Sequence, residues 1–150
     1  MKRLMKALPA LLLQALVCLT VRVDAEPPAW AMKVFNERLG TRFELAQTME
    51  PSFLVGDFNG DGRSDVALLI RQKATGKIGI AILESTKNNF KILGAGKSFG
   101  NGGDDFSWMD VWSIRHPGKA EDRLYVAKSE AAGAVIYWDG SKYKWQQEGD

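Results

Sequence analysis

Ser52-Phe53-Leu54-Val55-Gly56-Asp57-Phe58-Asn59-Gly60-Asp61-Gly62-Arg63-Ser64-Asp65-Val66-Ala67-Leu68-Leu69-Ile70 reads as strand, loop, strand. Ser52 to Val55 enters the loop. Val66 to Ile70 leaves it and is apolar without a break, the pattern of a strand buried on both faces. Between them, acid or amide side chains recur at every second position, Asp57, Asn59 and Asp61, and another stands at Asp65. Gly60 and Gly62 let the backbone turn sharply around whatever those oxygens face. Closely spaced hard oxygen donors are what a calcium ion requires.

Taking Asp57 as the first ligand position, the pattern continues through Asn59, Asp61, the main-chain carbonyl of Arg63 and Asp65. These oxygens fall short of the roughly 6–8 that calcium takes, and water would complete the set. Three carboxylates so close together repel one another without a cation. Magnesium suits the pattern less, because it demands short octahedral contacts and sheds water reluctantly. The alternative is an Asx-rich turn without metal, its side chains bonding their own backbone. An EF-hand is excluded, because its closing bidentate Glu would fall where Leu68 stands, inside a β-type run.

The segment Val55 to Ala67 resembles the FG-GAP/VCBS repeat family, in which a calcium loop joins two strands. That resemblance implies an ion held by Asp57, Asn59, Asp61, the Arg63 carbonyl and Asp65, stiffening a β-loop-β hairpin. It also implies an extracellular scaffold or binding surface rather than a catalyst. The chain carries one copy of the motif, whereas a propeller needs about 4–8 blades of four strands. Such a propeller does not fit in 150 residues.

Upstream, Met1-Lys2-Arg3-Leu4-Met5-Lys6 is basic and Ala7 to Val21 is largely apolar. With Val23-Asp24-Ala25 at its end, this is expected to be a signal peptide over 1–25, leaving one domain over 26–150. The apolar run is short for a membrane anchor. Cys18 lies in a poor lipobox, since Val17 stands where a small residue belongs. Cleavage after Ala25 removes Cys18, the single cysteine, so the remainder makes no disulfide. It also leaves sixteen basic against seventeen acidic residues. That balance gives no basic footprint for nucleic acid and no reason for a membrane partner. A periplasmic or secreted destination is expected.

Ala29 to Leu39 has helical spacing, with Trp30, Val34, Met32, Phe35 and Leu39 apolar, Pro28 before it and Gly40 after it. Short strands are expected at Phe43 to Leu45, Ile78 to Leu83, Phe90 to Leu93, Phe106 to Trp112, Arg123 to Ala127 and Ala134 to Trp138. Gly79 suggests a close backbone approach. Five glycines between Gly94 and Asp105 predict the loosest part of the chain. An Asp139-Gly140 turn leads into a last strand carrying Tyr143 and Trp145. The expected fold is α+β: a mainly antiparallel β-sheet with one N-terminal amphipathic helix packed on it, or a small open sandwich.

Gly94-Ala95-Gly96-Lys97-Ser98 is no phosphate loop, because the required earlier glycine is replaced by Lys91. Asp104, Asp105 and Asp110 with His116 offer acids and a base for a small periplasmic hydrolase, though no spacing ties them together. Trp108, Trp112, Trp138, Tyr143 and Trp145 read as core, or as a surface strip for a glycan or protein. The function expected is a non-enzymatic, exported, calcium-binding module for a protein or glycan partner in the envelope; the alternative is the hydrolase.

Overall fold

In the computed structural model, residues 25–86, 89–118 and 121–149 are described. The expected leader, with Cys18, lies outside them. The elements run α1 (Ala29–Arg38), β1 (Phe43–Leu45), β2 (Phe53–Gly56), β3 (Asp65–Gln72), β4 (Ile78–Glu84), β5 (Asn89–Gly94), a 3-10 turn (Gly100–Gly102), β6 (Val111–Arg115), β7 (Arg123–Ala127), β8 (Gly133–Trp138) and β9 (Tyr143–Glu148). Every ladder is antiparallel. The first sheet has the order β1-β3-β4-β5, and β2 shares the β1 edge of β3. The second is a meander, β6-β7-β8-β9. The α+β expectation holds, and the helix-on-sheet and sandwich alternatives are both realised.

β3 decides this layering. Its even positions, Val66, Leu68 and Ile70, pack with Ala31, Val34, Phe35 and Leu39 of the helical segment. Its odd positions, Ala67 and Leu69, face Trp112, Leu124, Val126 and Ile136 of the second sheet. Alternate side chains point to opposite faces of a strand, so a continuous apolar run is what a central layer needs. Burying each large side chain stabilises the fold by about 1.5–3 kcal/mol.

α1 starts after Pro28 and stops at Leu39; the Gly40 N–H donates to Phe35 O at 2.8 Å. At Gly79 a Cβ would lie 2.4 Å from both Ala95 N and Leu93 O, so the close approach is real.

Two expectations are corrected. Phe106 to Asp110 is not strand; β6 begins at Val111. The Phe106 N–H donates to Ile78 O, and Asp105 accepts the Ile78 and Ser107 N–H groups. Those bonds consume the main-chain groups a ladder would use and drive Phe106, fully buried, between the sheets. Trp108 therefore meets Phe106 and Trp145. The glycine-rich loop is also packed rather than loose. A side chain at Gly100 or Gly102 would collide with the Trp145 ring, at 2.3 and 2.8 Å. Its glycines make room for an aromatic. The last hairpin closes with the four residues Asp139 to Lys142, because Trp138 pairs with Tyr143.

Candidate metal centre

Gly56 pairs with Asp65, so residues 57–64 form a loop closed by a ladder rung. Gly60 and Gly62 have φ of 71° and 81°, the left-handed region where side chains are strained. Phe58, between the first two candidate ligands, is buried in the core between the sheets and anchors the loop from below.

The loop folds around its own acids. Asp57 Oδ1 accepts the Asp61 N–H at 3.0 Å, and Oδ2 accepts the Gly62 N–H at 2.8 Å. Asn59 Oδ1 accepts the Asp61 N–H at 3.1 Å. Asp61 Oδ1 accepts the Arg63 N–H at 2.9 Å, and Thr86 Oγ1 donates to Asp61 Oδ2 at 3.4 Å. Arg63 itself is exposed. These bonds alone serve an ion-free Asx turn as well as a metal loop, since an oxygen with one N–H donor keeps a second lone pair.

Asp65 separates the two. It opens β3 with a relative exposure of 0%. Its Oδ2 accepts the Phe58 N–H at 3.1 Å, while its Oδ1 is buried with no hydrogen-bond partner. Leu83 pairs with Val66, which sets Glu84, 5% exposed, beside Asp65 at the ladder's end. Glu84 Oε2 accepts from Asn89 Nδ2 at 3.2 Å. Among the described residues neither carboxylate has an ion-pair partner. Burial pushes the Asp65 carboxyl up to about 7, against the opposing bond from Phe58, and the charges of Asp61 and Glu84 add to the rise. From β9, the buried Tyr143 hydroxyl also lacks a partner. Its pKa is raised first by burial and then by the field of Asp65 and Glu84.

A buried, half-satisfied carboxylate is costly unless a cation or donor meets it. The donors here are all oxygen, which suits a hard divalent ion. The set is mixed, with carboxylates, the Asn59 amide and the Arg63 carbonyl. Among the described residues no three His, Cys, Asp or Glu side chains gather closely enough to hold an ion on their own.

The other acids are dispersed. Asp104 pairs with Lys77. The Ile78 N–H, with Ser107, holds the Asp105 carboxyl below its usual range. Lys128 and the Ser129 N–H hold Asp110 down to about 2. Asp110 and His116 flank opposite ends of β6, which puts them roughly 20 Å apart at about 3.3 Å per residue. His116 instead meets Asp122, with Nδ1 2.5 Å from Oδ1. Asp122 is a residue that no local sequence pattern marks. It lies 65 positions beyond Asp57, yet its Oδ2 accepts the Asp57 N–H at 2.9 Å and its own N–H donates to Asp57 O at 2.8 Å.

No protein-family model, curated protein or solved structure matches this chain.

Proposed function

We infer that this chain is an exported calcium-binding β-domain in which one ion stiffens the loop between β2 and β3. It acts as a non-enzymatic binding or scaffold module for a protein or glycan of the cell envelope, in the periplasm or outside the cell. The observation that carries the metal reading is Asp65: fully buried at the foot of an oxygen-rich loop, with one carboxylate oxygen unpaired. The ligands are Asp57, Asn59, Asp61, the Arg63 carbonyl and Asp65. The bound ion would neutralise the acids of the loop and of Glu84, while Phe58 and the two glycines hold the backbone in shape. The leader-like first residues support export, and the resemblance of the loop to FG-GAP/VCBS repeats supports a scaffold role. A hydrolase built on Asp104, Asp105, Asp110 and His116 has no comparable support, because each of these side chains is engaged separately.

Calorimetric titration of the purified protein with calcium tests the reading, paired with melting curves in chelator and in calcium. Saturable binding at or below about millimolar calcium is expected, in the range of extracellular modules. Asp57→Ala and Asp61→Ala should each abolish the calcium-dependent rise in melting temperature, and Asp104→Ala should retain it. Absence of both heat and thermal shift at about millimolar calcium sinks the reading.

A further inference from the structure

We propose that Asp122 is a positioning residue for the ion: it holds the main chain of the first ligand, Asp57, from the position just before β7 of the second sheet, and so couples ion binding to the docking of β7. This rests on the calcium reading above. Both peptide groups flanking the Asp57 Cα are engaged by Asp122, one through its side chain at 2.9 Å and one through its own N–H at 2.8 Å. A two-point bond fixes orientation as well as place, so the Asp57 carboxylate is aimed by a residue that never touches the ion. The other Asp122 oxygen is occupied by His116 Nδ1. With both oxygens engaged, the Asp122 side chain has little rotational freedom.

Gly56 makes the approach feasible. A Cβ there would lie 2.9 Å from Asp122 Oδ2, and also 3.0 Å from the Phe58 ring. Glu121 closes the same side, its Cβ 3.4 Å from where a Cβ at Gly60 would stand. The loop is thus braced by the entry to β7 as well as by its own strands. Outer-sphere partners that orient a ligand change metal affinity by about 10–100-fold when removed. Coupling is reciprocal: if Asp122 helps the ion bind, the ion helps Asp122 stay docked.

The test compares wild type, Asp122→Ala and Asp122→Asn, which keeps an acceptor oxygen for the Asp57 N–H. Calcium titration should give at least about 10-fold weaker binding for Asp122→Ala. Asp122→Asn should stay within about threefold of wild type, a rescue by geometry that general loss of packing does not predict. Hydrogen exchange should slow across Glu121 to Ala127 when calcium is added to wild type, and not in Asp122→Ala. Terbium luminescence lifetimes in light and heavy water should report more coordinated water in Asp122→Ala, because a misaimed Asp57 leaves a position open. If wild type binds calcium and Asp122→Ala binds it equally well, the proposal fails and the metal reading stands. If wild type binds no calcium, both fail. Weakening to the same degree in the Asn variant also overturns it, since the acceptor oxygen would then be irrelevant.

Discussion

Asp65→Asn separates the cost of the loop from its benefit. Asp65 is an acid whose pKa rises from 3.8 to about 7 on folding. The folded chain therefore holds this proton more tightly than the unfolded chain. The stability contributed by this group is complete below the unfolded value and is lost as pH rises through about 7. The full displacement corresponds to about 4 kcal/mol, an upper bound reached once the buried carboxylate is ionised. Asparagine keeps an oxygen for the Phe58 N–H and removes the charge. In chelator, the wild-type melting temperature should fall between pH 4 and pH 7 while that of Asp65→Asn stays flat over the same interval. At pH 8 the variant should melt higher by several degrees, up to about 15 °C at roughly 4 °C per kcal/mol for a chain of this size. Calcium should narrow that gap. At a hundredfold excess over its Kd, an ion that binds only the folded state adds about 2.7 kcal/mol to wild type, and the variant should gain less than a third of that. Differential scanning calorimetry at pH 5, 6, 7 and 8, in chelator and in calcium, reads both effects. Parallel pH profiles for the two proteins in chelator, or equal gains in calcium, would refute the reasoning.

Two further expectations follow from other parts of the fold. Gly79→Ala should cost about 3 kcal/mol or more in urea denaturation, since the new methyl meets backbone on β5 and just beyond it, and backbone cannot rotate aside; an unchanged midpoint would contradict the close approach. The acid limb should depend on Asp139, held to about 2 first by the Lys142 N–H and then by the Ser141 N–H. A lowered pKa gives stability that is present above the unfolded value and lost as pH falls through the folded one. Asp139→Asn should therefore flatten the decline in melting temperature from about pH 4 to about pH 2, and an identical acid limb in both proteins would count against it.

How far the sequence reveals this fold depends on how local each determinant is. Val66 to Ile70 announces a two-sided strand because burial on both faces leaves no room for alternation. Gly79 announces a close approach because only a missing Cβ permits one. The loop from Asp57 to Asp65 is legible because its ligands are neighbours in the chain. Phe106 to Asp110 misleads, since aromatic content suggests strand while the Asp105 carboxylate diverts the backbone N–H groups. The glycines from Gly94 to Gly103 mislead in a similar way: freedom in the chain becomes a socket once Trp145 lies against it, and Trp145 is far along the sequence. Asp122 is unreadable for the same reason. Nothing around it marks a partner 65 residues earlier.

The placement of the aromatic residues gives the molecule a built-in optical reporter. Trp112 lies in the core between the sheets, with Trp108, Trp138 and Trp145 packed against it, whereas Trp30 borders the helix-facing core. No tryptophan falls in any strand of the first sheet. Intrinsic fluorescence therefore watches one event above others, the closing of the two sheets on each other. A red shift without loss of far-ultraviolet ellipticity would signal separation of intact sheets, and the same signal recorded during a calcium titration would show directly whether an ion at one end of the seam is felt along its length.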